Sequence, residues 1–264
     1  MYSRFQLAKK MLHYYIHASN GKGHGIHSPF VFDFIQKVLN DNTQYKDYKN
    51  IEAQRKKLRQ DDSFIEIEDF GAGSVVMKTN KRQISRIALT SLKPKKYGQL
   101  LYRIVKYYHP ENIIELGTSL GITTAYLAAA SDKKVYTLEG APAIAKKAGE
   151  NFVALNIKNI DLVLGEFENS LPDILSKINY PAFVFIDGNH RKQPTLNYFY
   201  QLLKRSTELS IMVFDDIHWS LEMEAAWEQI KADPAVTLTI DLFFIGIVLF
   251  RKDFKVKQHF LIRF

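Results

Sequence analysis

The alternation of apolar and helical stretches is most regular in the second half of the chain. Apolar runs at 112–116, 135–139, 161–165, 182–187 and 210–215 alternate with stretches of helical periodicity near 121–131, 142–155, 168–178, 192–205 and 219–232. Five strand–helix units of this length predict a parallel sheet with helices on both faces. Two further apolar runs, 237–243 and 244–250, are close enough to pair through a short connection. The predicted fold class is therefore α/β, with a doubly wound, mostly parallel, seven-stranded sheet that ends in an antiparallel strand pair.

Helical periodicity dominates the first 110 residues. Residues 4–18 and 29–40 predict two helices, the second with Ser28 as its N-cap and Pro29 at its first helical position. Residues 44–62 predict a charged, exposed helix, and two amphipathic helical stretches follow at 81–92 and 97–108. We accordingly predict an N-terminal helical extension with a loop or lid over residues 1–83, followed by one α/β domain over residues 84–264.

Two glycine-rich stretches of the extension resemble ligand sites only superficially. His24 and His27 lie in the linker between the first two helices, but no third metal ligand is evident nearby, so we interpret this linker as pocket-lining or exposed. Residues 64–74 contain Asp69, Gly71 and Gly73, which imitate a nucleotide-binding turn. Helical stretches follow where a second strand would be required, so this segment is predicted to be a loop or lid.

Composition and charge narrow the class of protein. The chain has 264 residues, 46% hydrophobic content and no cysteine, and its longest apolar run is 243–250, which is too short for a membrane-spanning helix. With no signal-peptide pattern at the start, the expected location is cytoplasmic.

The net charge of +8 is concentrated in residues 1–110, which hold 20 Lys+Arg against 9 Asp+Glu. Such a basic region can attract nucleic acid, an anionic membrane or an acidic substrate, although solvated lysines on a helical extension are the simpler interpretation.

The candidate chemistry begins at residues 112–124, which read NIIELGTSLGITT. Here a buried strand ends at Gly117, a tight turn reaches Gly121, and a helix starts. Unpaired backbone N–H groups at such a helix start suit a carboxylate or phosphate, and glycine permits close approach of a ligand. The spacing is not the dinucleotide pattern G-x-G-x-x-G, so a pyrophosphate is not the first expectation.

This turn resembles motif I of class I S-adenosylmethionine-dependent methyltransferases, in the E-x-G-T-x-x-G-x-[ST]-T form of the catechol and caffeoyl-CoA O-methyltransferases. The resemblance covers roughly residues 84–250 and implies a Rossmann-like fold with S-adenosyl-L-methionine as cofactor. Glu139, 22 positions beyond Gly117 at the end of the next strand, can accept hydrogen bonds from both ribose hydroxyls. The predicted cofactor-binding residues are Glu115, Gly117, Thr118, Ser119, Gly121, Thr123, Glu139, Gly165, Glu166, Phe167 and Asp187.

Carboxylates and histidines follow the fourth and fifth strands of this region, as Asp187 and His190 and as Asp215, Asp216 and His218. Three carboxylates at neighbouring strand ends repel one another unless a cation or a proton offsets their charge, and oxygen ligands suit Mg²⁺ or Ca²⁺. In the metal-dependent O-methyltransferases that the chain resembles, the matching positions hold Asp, Asp and Asn and bind a divalent cation. The third ligand here is Asp, and the position of the family's catalytic lysine is occupied by His190.

Two accounts of catalysis follow from these residues. Asp187, Asp215 and Asp216 can bind a metal ion that stabilises the acceptor oxyanion. Alternatively the reaction is metal-free: Asp187 contacts the cofactor amino group, and His190, or else His218, removes the acceptor proton as a general base. The first hypothesis is O-methylation of a small hydroxylated molecule. The alternatives are an RNA-binding protein or RNA methyltransferase that uses the basic N-terminal region, and a catalytically silent cofactor-binding domain. The sequence leaves the acceptor and the oligomeric state, including a homodimer, open.

Overall fold

The computed structural model describes residues 1–66 and 81–264, which form two compact units. One unit consists of Asn42–Ile174, and the other combines Met1–Asp41 with Leu175–Phe264. Both units contain strands as well as helices. The division of the chain into 1–83 and 84–264 remains a prediction.

The unit Asn42–Ile174 contains three parallel strands and the helices that accompany them. Its elements are α3 (Lys46–Arg59), β1 (Phe64–Glu66), β2 (Lys81–Gln83), α4 (Ile84–Thr90), α5 (Lys95–Tyr108), β3 (Ile113–Leu116), α6 (Ile122–Ala129), β4 (Val135–Glu139), α7 (Pro142–Ala154) and β5 (Ile160–Leu164). The strand β4 lies between β3 and β5 and is parallel to both. All four residues of β3 are buried, which explains why its apolar run is continuous rather than alternating.

The start of the predicted loop over residues 64–74 forms a short strand instead. Residues Phe64–Glu66 are β1, which pairs antiparallel with β2, so the helical stretch predicted from residue 81 begins only at Ile84. The remainder of that loop, including Asp69, Gly71 and Gly73, lies outside the described residues.

The other unit contains the two N-terminal helices and the C-terminal part of the chain. Its elements are α1 (Arg4–His17), α2 (Pro29–Phe34, continued by a π-helical turn Ile35–Leu39), β6 (Phe183–Ile186), α9 (Lys192–Leu203), β7 (Ile211–Asp215), α10 (Leu221–Ala232), β8 (Leu238–Asp241), β9 (Ile245–Leu249) and β10 (Gln258–Leu261). Helix α8 (Phe167–Ser176) contains the boundary between the two units. The strand order within this unit is β10-β8-β9-β7-β6.

The predicted α/β class is confirmed, including the antiparallel pairing near the C-terminus. Strands β6 and β7 are parallel, whereas β9 runs antiparallel to both β7 and β8. One further strand, β10, pairs parallel with β8 and was not predicted, because its residues alternate between half-buried and exposed and form no apolar run. Within residues 1–66 and 81–264, none of the helices combines the length and the apolarity needed to cross a bilayer.

Helix α1 packs against the C-terminal strands of its own unit. A capping box between Ser3 and Gln6 starts the helix, and the buried Tyr14 and Ala18 pack against Phe243. The Tyr14 hydroxyl donates a hydrogen bond to the backbone carbonyl of Ile262. These contacts fix which face of α1 points inward.

Candidate active site

The glycine turn between β3 and α6 has the backbone shape that the sequence predicted for a ligand-binding junction. Gly117 has φ 108° and Gly121 has φ 76°, both in the left-handed region that favours glycine. A Cβ atom on Gly121 would lie 2.5 Å from a ring carbon of Phe152, so this position also lacks room for a side chain. The turn therefore depends on glycine both for its conformation and for its packing.

Glu139 joins this turn to the end of β4. One carboxylate oxygen accepts a hydrogen bond from the backbone N–H of Ser119 at 2.9 Å, and the other accepts one from Ala141 at 3.0 Å. Burial raises the pKa of the Glu139 carboxyl, and these backbone donors partly counteract that rise. Each carboxylate oxygen can accept a further hydrogen bond, so the side chain is oriented in advance for a donor such as a hydroxyl group.

Glu115 is buried in β3, just before the glycine turn. Its side chain is completely buried, and one carboxylate oxygen accepts hydrogen bonds from the hydroxyls of Thr124 and Thr137. The Thr137 hydroxyl lies 2.6 Å from that of Thr118. This buried network links β3, β4 and α6. Its geometry supports a role for Glu115 and Thr118 in shaping the turn, and their contact with a cofactor stays a prediction.

The other predicted cofactor residues of this unit lie at two places. Thr123 is buried in the first turn of α6, next to the glycine turn. Gly165 follows β5 and donates its backbone N–H to the Glu139 carbonyl at 3.0 Å, which links the ends of β4 and β5. Glu166 is exposed and Phe167 is half-buried at the start of α8. Gly165 thus lies beside Glu139 in the structure, as a shared pocket would require.

The second set of candidate residues lies in the other unit, after β6 and β7. Asp187, His190 and Asp215 each offer one ligand atom, and these atoms lie within 4.8 Å of one another. The His190 Nε2 atom is 3.5 Å from an Asp187 carboxylate oxygen. Asp215 is buried, whereas about a third of the His190 side chain is exposed, at 34%. The cluster therefore combines a buried carboxylate with an accessible imidazole.

This cluster differs from the predicted metal triad in one member. The sequence predicted Asp187, Asp215 and Asp216, and the structure brings His190 to the first two instead. Asp215 is the last residue of β7, and Asp216 follows with φ 52°, outside the strand conformation. Consecutive side chains at a strand end point in different directions, which separates two carboxylates that are adjacent in sequence.

Two carboxylates and one imidazole form a donor set that fits a divalent cation. Carboxylate oxygens suit Mg²⁺ and Mn²⁺, and an imidazole nitrogen shifts the preference toward Mn²⁺, Zn²⁺ or Fe²⁺. The same three groups also fit a metal-free arrangement, in which a carboxylate orients an imidazole that accepts a proton. The arrangement of the side chains is compatible with both accounts.

The loop that carries His190 is held in an uncommon backbone conformation. Asn189 and His190 have φ 66° and 28°, which residues other than glycine rarely adopt in succession. The Asn189 side-chain amide donates a hydrogen bond to the hydroxyl of the buried Tyr198 on α9 at 2.7 Å. This bond was not predicted from the sequence, because nothing in the local pattern pairs a loop asparagine with a tyrosine nine residues away.

His218, the other predicted base, is bound by carboxylates at both ring nitrogens. Its Nε2 atom lies 2.8 Å from Asp241 and its Nδ1 atom lies 3.1 Å from Glu224. Burial alone would lower the pKa of His218, but the hydrogen bonds to these two carboxylates outweigh burial and raise it. An imidazolium with both nitrogens engaged has no lone pair for a substrate proton, so this geometry does not support the base role predicted for His218.

Glu224 extends this network to the N-terminus. It also accepts hydrogen bonds from the Tyr2 hydroxyl at 2.6 Å and from the Lys10 ammonium at 2.9 Å. Glu224 and Asp241 were not predicted, because Tyr2 and Lys10 are more than 200 residues from Glu224 in sequence and His218 is 23 residues from Asp241. The role of His218 is thus to join α10, β8 and, through Glu224, α1.

Comparison with known proteins assigns a family model to the central part of the chain. Residues 114–217, which span the glycine turn, Glu139, Asp187 and Asp215, match a model described as a methyltransferase domain. No curated protein matches the chain. The resemblance to class I methyltransferases is therefore confirmed at the level of the domain.

Solved structures show the same fold at low sequence identity. The Bacillus cereus O-methyltransferase in complex with SAH is 20% identical, with 81% of this chain and 95% of that chain covered and a TM-score of 0.56. The SAH-bound Podospora anserina methyltransferase PaMTH1 is 13% identical, with 85% and 97% covered and a TM-score of 0.58. At these identities the similarity establishes the fold.

Proposed function

We propose that this chain, which contains a methyltransferase domain, transfers a methyl group from S-adenosyl-L-methionine to the hydroxyl oxygen of a small molecule. The observation that carries the proposal is the Glu139 carboxylate, held by backbone N–H groups beside the Gly117–Gly121 turn inside the matched segment 114–217. The cofactor complexes of the Bacillus cereus and Podospora anserina proteins support the same assignment. We also propose that residues 84–264 are the methyltransferase domain and that residues 1–83 extend it.

In this proposal the residues of the glycine turn bind the cofactor. The left-handed backbone at Gly117 and Gly121 shapes the turn before α6, whose start offers backbone N–H groups to the cofactor, and Glu139 accepts hydrogen bonds from the ribose hydroxyls of the cofactor. Gly165, joined to the Glu139 carbonyl, closes the same pocket on the side of β5. S-adenosyl-L-methionine supplies an activated methyl group on a sulfonium centre. Glu115 and Thr118 keep the turn in place from below.

The acceptor hydroxyl must lose its proton to become a good nucleophile, and we assign this task to the cluster of Asp187, His190 and Asp215. His190 is the accessible member, and Asp187 lies near enough to orient its ring and to stabilise its protonated form. A divalent cation bound by the same three side chains would stabilise the acceptor oxyanion by Lewis acidity. The two accounts differ in whether His190 holds a proton or a metal ion.

The test is to measure cofactor binding and methyl transfer separately. Isothermal titration calorimetry with S-adenosyl-L-methionine should show one site per chain, and radiolabelled methyl transfer to a panel of catechols and other phenols should identify an acceptor class. The matched control for a Glu139→Ala variant is Glu111→Ala, which changes an exposed carboxylate that pairs with Lys133. A folded protein that binds neither S-adenosyl-L-methionine nor its demethylated product would refute the proposal at its first step. Binding without turnover on any hydroxylated compound would instead favour the cofactor-binding domain without catalysis.

The alternative of an RNA-directed function is not favoured, because no observation beyond the basic N-terminal charge points to it. Cytoplasmic location and a homodimer remain predictions.

A further inference from the structure

The outer face of helix α1 exposes large apolar side chains. Phe5, Leu12 and Ile16 are 80%, 62% and 64% exposed, and they recur at intervals of seven and four residues. This spacing places them in one stripe along the helix. We call the three residues the α1 ridge. Isolated exposed apolar side chains are common, whereas three large ones on the same face of one helix indicate an interaction surface.

The ridge cannot turn inward without breaking other contacts. Tyr14 and Ala18 on the opposite face are buried against Phe243, and Lys10 forms an ion pair with Glu224 at 2.9 Å. The Tyr2 hydroxyl is bound to the same carboxylate. Helix α1 is therefore fixed on its own unit by one face while the other presents the ridge to solvent.

Basic side chains border the ridge on both sides. Helical geometry places Lys9 and His13 along one edge and Arg4 along the other, and all three residues are exposed. The sequence contains no Asp or Glu before Asp33. The surface around the ridge therefore has positive charge with no acidic residue from its own segment to neutralise it.

We propose that the α1 ridge binds the surface of an anionic lipid bilayer. A helix with an apolar stripe and basic borders can lie in the interface, with the stripe among the acyl chains and the basic residues near the headgroups. This inference does not depend on the methyltransferase assignment, because none of the ridge residues belongs to the candidate active site.

Other occupants fit the same features less well. A second copy packed ridge to ridge would bring Arg4 and Lys9 of both copies together, and like charges at an interface are unfavourable. A nucleic acid would satisfy the basic borders, but the phosphate backbone offers no apolar surface for Phe5, Leu12 and Ile16. An anionic bilayer matches both the charge and the apolar stripe.

Vesicle flotation with the full-length protein tests the proposal. Vesicles of phosphatidylcholine alone are compared with vesicles that contain phosphatidylserine as well. We expect binding to the anionic vesicles, and we expect the triple variant Phe5→Ser, Leu12→Ser, Ile16→Ser to weaken it at least about 100-fold, because three apolar side chains no longer insert. The matched control changes three exposed apolar residues elsewhere, Val153→Ser, Leu209→Ser and Val256→Ser, which are 81%, 64% and 73% exposed, and should bind as the unmodified chain does.

A second variant tests the electrostatic contribution to vesicle binding. It also keeps the proposal testable if the triple ridge variant does not fold. Arg4→Ala with Lys9→Ala should weaken binding by about 5-fold for each residue changed, and added salt should reduce binding of the unmodified chain in the same direction. Circular dichroism verifies that both variants remain folded. Equal binding by the unmodified chain and the ridge variant overturns the proposal, as does the absence of binding to anionic vesicles.

Two further outcomes would assign the surface to another partner and also overturn the proposal. If light scattering shows a dimer that the ridge variant converts to a monomer, without affinity for vesicles, the ridge is a contact between two copies. If a single-stranded RNA binds through Arg4 and Lys9 while the ridge variant binds it normally and vesicles do not bind, the basic residues act on nucleic acid.

Discussion

Replacing His218 with alanine should destabilise the unit that contains helix α1 more than any other single histidine change outside the candidate active site. His218 forms hydrogen bonds to Asp241 and Glu224, and its ring stacks on Phe243 with centroids 5.3 Å apart. Hydrogen bonds to charged groups contribute about 1.5–3 kcal/mol each. The loss of stabilising hydrogen bonds is partial at Glu224, because Tyr2 and Lys10 still bind this carboxylate. The loss is larger at Asp241, because its side chain is only 5% exposed.

We therefore expect His218→Ala to lower the free energy of unfolding by about 2–4 kcal/mol near neutral pH. At about 2–4 °C per kcal/mol for a chain of this size, the melting temperature should fall by roughly 4–16 °C. Both tryptophans of the chain, Trp219 and Trp227, lie in the same unit as His218, so tryptophan fluorescence during urea unfolding reports on the relevant region. The control is His24→Ala, which removes an exposed histidine.

The pH dependence provides a sharper test, because its sign is fixed by the direction of the pKa shifts. The pKa of His218 is raised above 6.5 in the folded state, so its charge contributes fully below that value and is lost as the pH rises through the folded pKa. Burial opposes ionisation of Glu224, but hydrogen bonds from Tyr2, Lys10 and His218 lower its pKa below 4.5, so its contribution is lost as the pH falls through that lower value. The difference between the unmodified chain and His218→Ala should be largest between about pH 4.5 and 6.5 and smaller at about pH 9. A difference that grows toward pH 9, or one equal to that of His24→Ala, would refute this account.

The remaining predictions concern the candidate active site. Glu139→Ala should weaken S-adenosyl-L-methionine binding by about 10-fold to 100-fold in calorimetry, because the ribose hydroxyls lose their acceptor; unchanged affinity in a folded variant would contradict the role of Glu139. Gly117→Val should abolish cofactor binding, since valine does not tolerate φ 108°, whereas Gly149→Ala in helix α7, where a Cβ meets nothing within 4 Å, should leave binding unchanged. If a divalent ion takes part, EDTA should abolish methyl transfer and added Mg²⁺ or Mn²⁺ should restore it, with Asp216→Asn retaining most of the activity. If the reaction is metal-free, EDTA should have no effect and His190→Ala should lower turnover by about 10²- to 10⁴-fold; turnover that survives both treatments would exclude both accounts.

The strand–helix alternation and the glycine turn could be predicted because their causes are local. A buried parallel strand needs a continuous apolar run, and a backbone with φ near 108° or 76° strongly favours glycine, so Gly117 and Gly121 mark the junction of β3 and α6 in the sequence itself. The position of Glu139 could be predicted for a related reason, because it is the last residue of the next strand, β4. Strand β10 could not, because an edge strand with one exposed face carries too few apolar residues to be distinguished from a loop.

What the sequence determined by itself was the identity of the residues at the strand ends, since chain order and apolar periodicity specify where each strand stops. What only the tertiary structure decided was which of those residues meet. Asp215 and Asp216 are neighbours in sequence, yet His190 joins Asp215, because the backbone leaves the strand conformation at Asp216. His190 and His218 likewise look equivalent in sequence, and they differ because Asp241 and Glu224, brought in from β8 and α10, occupy both nitrogens of His218. Hydrogen-bond partners depend on distances in space, and periodicity along the chain carries no information about those distances.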